Sequence, residues 1–287
     1  MAPRPYMIRP QTVTARVRKV IRETRDTATL RLGLDNQAFE FRAGMAVNID
    51  PHQFEALAGE IARREAETGR PEMPRAFSLA SSPLETEFIE LTIKVEEPAG
   101  GPRPLLAPHL VRALKSGDKV TLVGPFGLFV LPEPLDPEIQ GVLYVAAGSG
   151  VAPIRGILKH CLAASLPLRH LLLVQNKTSA DIIYATELEG IAALNEGKVR
   201  VVNVLSRDAG KAEGAANGYL TPDLIRRELS WLAPAARVLA FVCGPGKPRA
   251  GHAKGFVDAY AGNKRKKEPG ILTDCGIPLD RIVTETW

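Results

Sequence analysis

The chain has 287 residues, 45% hydrophobic and 24% charged, with a formal net charge of +5 and three cysteines. That length exceeds what one small core fills and implies two domains. No apolar run reaches the roughly 18 residues of a membrane span, and MAPRPYMIRPQTV at the start has no apolar signal core, so a cytoplasmic location is expected by default. Cys161, Cys243 and Cys275 are too few and too scattered for a disulfide framework or a four-cysteine iron–sulfur cluster. The histidines at 52, 109, 160, 170 and 252 lack metal-ligand spacing and are expected at the surface or as caps. Basic runs, RVRKVIRETR and NKRKK at 263–267, suit an acidic partner or a phosphorylated ligand. Nucleic acid is disfavoured, because no aromatics interleave with these residues.

The first half reads as strands. TVTARVRKVIRE and TATLRLGL alternate apolar and polar residues, AGMAVNIDP follows a glycine turn, and FIELTIKVEE and GDKVTLVGPFG complete the set. Short alternating strands between turn residues imply an antiparallel barrel or sandwich. Helical spacing marks an insertion at about 53–72, and a second short helix is expected at 108–115. VLPEPLDPEI then reads as a linker.

The second half alternates strands and helices: GVLYVAAGS, VAPIRGILKHCLA, RHLLLVQN, YATELEGIAALNEG, VRVVNVLS, TPDLIRREL, VLAFVCGPG. Apolar strands alternating with helices form a parallel sheet covered on both faces. The boundary is placed to give domains 1–137 and 138–287.

Three strand ends carry chemistry. Gly148, Ser149, Gly150, Val151, Ala152 and Pro153 link a strand to a helix. Small residues there admit phosphates to the backbone, and the helix N-terminus supplies N–H groups and partial positive charge. Pro153 replaces the third glycine of a dinucleotide fingerprint and suits a first helical turn. Ser206 and Arg207 end another strand. Alone they are a loop; beside a phosphate turn, the arginine can fork onto a 2′-phosphate, which favours NADP(H) over NAD(H). Lys177 and Tyr219 are weaker candidates for the same pocket. Cys243, Gly244 and Pro245 end a third strand. Finally, Arg75, Phe77 and Ser78 stand together in RAFS before a run of small hydroxylated residues.

RAFS, GDKV…GPFG, Gly-Ser-Gly-Val-Ala-Pro, Ser-Arg, Cys-Gly-Pro and the terminal Glu285-Thr286-Trp287, in this order, resemble the ferredoxin–NADP(+) reductase superfamily. The resemblance runs over most of residues 12–287. It implies a two-domain α+β chain: an antiparallel Greek-key β-barrel for FAD, then a doubly wound parallel α/β domain for NADP(H). It assigns Arg75 to the FAD pyrophosphate, Phe77 to packing on the isoalloxazine and Ser78 to flavin N5. Thr92, Ile93 and Lys94 would line the flavin by their backbone, and Gly101 lies in the loop before the short barrel helix. Phe77 lacks the hydroxyl of the family's tyrosine, and Ala107 stands where a hydroxyl is usual. Trp287 would cover the flavin face that the nicotinamide must reach. With Ser78, Cys243 and Glu285 it completes the implied catalytic set.

The resemblance implies hydride exchange between NADP(H) and FAD, and single-electron exchange with a separate acidic carrier such as ferredoxin or flavodoxin. The alternatives are an oxygenase-system reductase, a flavin-binding electron-transfer subunit of a larger complex, and a nucleotide-binding module without catalysis.

Overall fold

The computed structural model describes residues 8–96, 103–208, 215–246, 255–262 and 268–286. The chain divides into two units, Met1–Leu128 and Phe129–Trp287. No helix among the described residues is long and apolar enough to cross a membrane.

The first unit holds β1 (Gln11–Thr24), β2 (Thr27–Gly33), β3 (Ala46–Ile49), β4 (Arg75–Ser78), β5 (Phe88–Lys94) and β6 (Lys119–Phe126). They form one sheet, ordered β4-β3-β6-β1-β2-β5, with every pairing antiparallel. The two ends of that sheet meet just past β4: Leu79 bridges Leu91, and the Ala80 N–H donates to the Glu90 carbonyl at 2.8 Å. The sheet is therefore a nearly closed barrel, which leaves little free edge. The alternation read in β1 places Val13, Ala15 and Val17 inside; they share the interior with Leu30, Leu32, Ile89, Leu91, Val120 and Leu122. β5 is buried on both faces, so its polar residues find partners across the ladder. Arg31 Nε donates to the wholly buried Glu90 at 2.8 Å, and the hydroxyls of Thr29 and Thr92 lie 2.7 Å apart.

Two helices interrupt this sheet. Within the expected insertion, two 3-10 turns, Pro51–Gln53 and Glu55–Leu57, precede α1 (Ala58–Thr68). Gly69, at φ +65°, ends it in the left-handed conformation glycine favours. The short helix expected at 108–115 is instead α2 (Leu106–Arg112). Pro108 belongs inside its first turn, where no N–H is needed, rather than at its start.

The second unit contains β7 (Gly141–Ala147), β8 (Arg169–Asn176), β9 (Val199–Leu205), β10 (Ala216–Asn217), β11 (Val238–Gly244) and β12 (Ile282–Thr286). The helices are α3 (Val151–Ala163), α4 (Ala185–Leu194), α5 (Pro222–Leu232), α6 (Phe256–Ala261) and α7 (Ile271–Asp274). The sheet order is β10-β9-β8-β7-β11-β12, wholly parallel. Alternate strand residues face opposite layers. Leu143, Val145, Leu171, Leu173, Ala240 and Val242 pack with Ile225 and Leu229 of α5 and Val257 of α6. Their neighbours Tyr144, Leu172 and Phe241 are buried on the face toward α3. Thr221 caps α5 through the Leu224 N–H, with Pro222 at its first position.

Several expectations need correction. Ile282–Thr286, which the sequence reading did not count among the strands, is the edge strand β12. β9 is only half-buried over most of its length, because β10 covers just its last two residues. The proline-rich stretch is not a loose linker: Phe129 packs edge-on against Phe241 at 5.1 Å, and Leu131 and Ile139 are buried. Arg16 and Arg18, in the basic run of β1, pair with Asp35. The run at 263–267 lies outside the described residues.

His170 is not at the surface either. It is wholly buried in β8, its Nδ1 3.2 Å from the Tyr144 hydroxyl, and its Nε2 has no hydrogen-bond partner. Burial, then the charge of Lys198, lowers its pKa to about 4. Folded, it stays neutral; unfolded, it takes a proton below about 6.5. Above that pH the residue contributes no pH dependence. As pH falls from about 6.5 to about 4, the unfolded state gains a proton that the folded state refuses, and stability declines by about 3 kcal/mol. Urea midpoints measured across that range are expected to show the decline, and His170→Leu is expected to flatten it.

Candidate functional site

The strand order of the second unit reverses between β7 and β11, and helices leaving the two strands diverge over opposite faces. Ligands of such sheets sit in the crevice that this leaves at the carboxyl ends of the strands. Here β7 runs into a single 3-10 turn, Gly148–Gly150, and then α3. Gly148 has φ +52°, and a Cβ on it would meet nothing within 4 Å. Gly150 faces the other way: a Cβ there would fall 2.3 Å from the Cys243 carbonyl oxygen and 3.2 Å from the Gly244 nitrogen. One glycine keeps the turn open, and the other lets it lie against β11. Gly150 gives α3 no side-chain cap, so the helix start keeps its pull on an anion. Val151, Ala152 and Pro153 are buried and anchor that first turn, while Ser149 is half-buried on the turn itself.

The next two strands end beside each other. The Arg207 N–H donates to the Lys177 carbonyl at 2.8 Å, and Ser206 N–H to the Asn176 carbonyl at 3.1 Å. Both Lys177 and Arg207 are exposed, and neither forms an ion pair among the described residues. Ser206, half-buried, holds its hydroxyl 3.4 Å from the same Asn176 carbonyl. Tyr219 follows Gly218, which comes directly after β10 and whose N–H donates to the Leu205 carbonyl at 2.9 Å; Tyr219 itself is 46% exposed. The four residues thus gather at one edge of one sheet.

Cys243 lies in register with Ala146 of β7 on one side and Glu285 of β12 on the other. Burial pushes its thiol well up, and the Glu285 charge adds to this. It is therefore a neutral S–H, not a thiolate. Gly244 and Pro245 continue into a turn packed on α6, where the Phe256 N–H donates to the Pro245 carbonyl at 2.9 Å. Trp287 lies outside the described residues.

In the first unit, RAFS is β4, paired with β3 so that Phe77 faces Val47 and Arg75 faces Ile49. Arg75 is 62% exposed and 3.2 Å from Glu72; Phe77 and Ser78 are half-buried. Thr92, Ile93 and Lys94 on β5 have committed side chains. Thr92 bonds Thr29, Ile93 is buried, and Lys94 lies 3.5 Å from Asp26. Their backbone alone is what they can offer. Gly101 lies outside the described residues.

Two features escaped the sequence reading. Arg155 of α3, nearly buried, is forked by both oxygens of Glu187 at 2.8 and 2.9 Å and lies 4.7 Å over the Tyr184 ring. Tyr184 itself has φ +61° at the start of α4. Ser179 and Asp208 also pair across two loops. Partners 29 and 32 residues apart leave no local pattern. Of the turn's glycines, Gly150 has the least room: in Gly150→Ala the new methyl meets backbone, not a side chain that could swing away. The expected cost is above about 2 kcal/mol in stability, together with loss of pyridine-nucleotide binding by calorimetry. Gly190→Ala, whose Cβ would meet nothing within 4 Å, is the control.

Residues 144–248 match the family model described as "Oxidoreductase NAD-binding domain". The chain is 29% identical to the reductase component of propane 2-monooxygenase from Mycolicibacterium goodii, over 87% of this chain and 64% of that protein, so it spans less than two thirds of this relative. It is 31% identical to ferredoxin–NADP reductase B of Sorangium cellulosum, over 73% of this chain and 76% of the relative. The structure of an Amycolatopsis cytochrome P450 reductase superposes with a TM-score of 0.71 at 25% identity, covering 96% of this chain and 70% of the other. An antiparallel barrel unit followed in the chain by a parallel-sheet unit, with an open glycine turn at the strand-order reversal, has the same company in sequence and in fold: the chain belongs to the ferredoxin–NADP(+) reductase superfamily.

Proposed function

We propose that this protein is an FAD-dependent oxidoreductase that exchanges electrons between NADP(H) and a separate one-electron carrier protein. The observation that carries the reading is the carboxyl edge of the second sheet. There an uncapped helix start, an open glycine turn and two exposed cations stand at the ends of three neighbouring strands, β7, β8 and β9. These residues fit the pyridine nucleotide. The turn and the α3 N-terminus take the pyrophosphate, Arg207 with Ser206 and Lys177 takes the 2′-phosphate, and Tyr219 stacks on the adenine side. The first unit fits a flavin. Arg75 is an exposed cation for the pyrophosphate, Phe77 offers a ring face, and Ser78 a hydroxyl near the reacting nitrogen. Gly101 and the backbone of residues 92–94 are proposed to complete that side.

Bound FAD supplies the change between two-electron chemistry with a nicotinamide and one-electron chemistry with a carrier. The chain's part is to bind, orient and exclude water. Cys243 contributes a compact, uncharged side chain at the end of β11, which leaves no competing nucleophile beside the nicotinamide. Glu285, in register with it, would supply the carboxylate of that site, and Trp287 would cover a flavin face. The carrier is a ferredoxin or flavodoxin, and the net charge of +5 suits an acidic one. The likeness to a propane monooxygenase reductase favours a second version, in which the electrons go to one oxygenase system. The three cysteines of this sequence are fewer than a four-cysteine cluster needs.

Purified protein is expected to be yellow, with a flavin spectrum that bleaches on anaerobic addition of NADPH; a colourless protein that cannot be reconstituted with FAD would overturn the reading. Arg75→Ala is expected to weaken FAD by about 2 kcal/mol, roughly thirtyfold, read as flavin content after gel filtration. Arg207→Ala is expected to raise KM for NADPH about tenfold or more while moving that for NADH little. Equal losses with both nucleotides would remove Arg207 from the 2′-phosphate.

A further inference from the structure

We infer that Ser179 is a specificity-determining positioning residue, acting through Asp208 to keep the pocket selective for the 2′-phosphorylated nucleotide. The inference rests on the reading of Arg207 given above.

Asp208 directly follows Arg207. A carboxylate at this place has opposite values for the two nucleotides. It repels a 2′-phosphate, which carries close to two negative charges at neutral pH, and it can accept a hydrogen bond from a bare ribose 2′-hydroxyl. The protein therefore needs something to occupy that carboxylate. Ser179 does so with two donors aimed at one oxygen: its N–H lies 2.8 Å and its hydroxyl 2.6 Å from Asp208 Oδ2.

The donor is itself held in place. Ser179 belongs to the turn after β8 that begins at Lys177. Within it, the Thr178 N–H and hydroxyl donate to Asp181 Oδ2 at 3.1 and 2.8 Å, and the Asp181 N–H returns to the Thr178 carbonyl at 3.1 Å. The same turn is joined to the Arg207 loop by the bond from the Arg207 N–H to the Lys177 carbonyl at 2.8 Å. Two loops, each carrying one cation, are thus fastened twice: once through backbone, once through the carboxylate. The second fastening does two things together. It draws the carboxylate's charge onto Ser179, and it leaves the guanidinium of Arg207 for the ligand.

The test is steady-state kinetics with NADPH and NADH for the wild-type chain, Ser179→Ala, Ser179→Ala/Asp208→Asn and Arg207→Ala, with thermal unfolding as a check on folding. Ser179 is exposed, so its alanine variant is expected to fold normally. That variant is expected to raise KM for NADPH about fivefold, with kcat unchanged and little change for NADH, because one charge-assisted hydrogen bond no longer occupies the carboxylate. Adding Asp208→Asn is expected to restore the NADPH preference, since the released charge is then gone. An unchanged NADPH-to-NADH ratio in Ser179→Ala overturns the inference. So does failure of the double variant to recover, which would make the bond a brace between loops and nothing more. Arg207→Ala separates the two levels. If it is selective for NADPH while Ser179→Ala is inert, only this inference falls; if it affects both nucleotides equally, the 2′-phosphate reading falls, and this inference with it.

Discussion

The arrangement at the carboxyl edge of the second sheet depends on one close approach. The Gly150 Cα lies so near the Cys243 carbonyl that a Cβ would come within 2.3 Å of its oxygen. Any larger residue would push the β7 turn away from the end of β11 at the point where the strand order reverses. The turn leads directly into α3, whose first N–H groups have no side-chain cap. The same contact fixes the end of β11, and β12 is in turn registered on β11, so Glu285 stands opposite Cys243. A constraint on one missing methyl therefore sets the glycine turn and the Cys243–Glu285 register together.

The edge of the sheet and its interior resolve charge in opposite ways. Inside, β7 and β8 bury Tyr144 and His170 against Cys161, and burial keeps all three neutral, with the Cys161 thiol pushed up to about 12. No ionised group disturbs the apolar layer there. At the carboxyl edge the charges remain and are sorted. Arg155 is turned back onto Glu187 and Tyr184 and is consumed in fixing α3 to the start of α4. Lys177 and Arg207 stay exposed. An arginine buried in a bidentate pair is a structural clamp, whereas one left in solvent beside a lysine keeps its donors for other partners. Residue type does not distinguish these two arginines; only their partners do.

This difference also marks what could be read from the sequence. Features whose cause is local were legible. Two-residue alternation gave the barrel strands, continuous apolar runs gave β7, β8 and β11, and TPDLIRREL in the strand–helix alternation gave α5. The Gly-Ser-Gly turn was legible because glycine, strand and helix follow one another directly. Features whose cause is tertiary were not. Ile282–Thr286 is too short and too polar to stand out, and it becomes a strand only because β11 offers an edge. β9 carries the valines of a covered strand, yet its outer side is largely left open by a two-residue β10. His170 was expected at the surface, yet it is buried in β8, where it meets the hydroxyl of Tyr144 from another strand. Ser179 and Asp208 were unremarkable until the fold put them 2.6 Å apart. For the candidate site residues, the sequence indicated the strand ends on which they stand and not how their side chains are shared out.

The insertion before β4 shows the same logic in the first unit. A helix at this place could be a surface ornament, and α1 does carry mostly exposed ion pairs of the kind that add little stability. Its ends are another matter. His52 stands between Asp50 at 2.6 Å and Glu65 at 2.9 Å, and hydrogen bonds to these carboxylates, Asp50 first, raise its pKa. Gln53 uses its amide as a piece of strand, accepting from the Thr121 N–H and donating to the Thr121 carbonyl of β6. Glu65 also accepts from the Glu72 N–H at 2.8 Å, and the Glu72 side chain lies 3.2 Å from Arg75. An unbroken series of contacts thus runs from the barrel wall, through the insertion, to the first residue of β4. β4 has four residues and one neighbouring strand along its length. A strand so short cannot fix its own entry angle, and the insertion supplies the missing restraint. Arg75 and Phe77 are therefore placed by a segment that itself contributes no residue to the proposed flavin site.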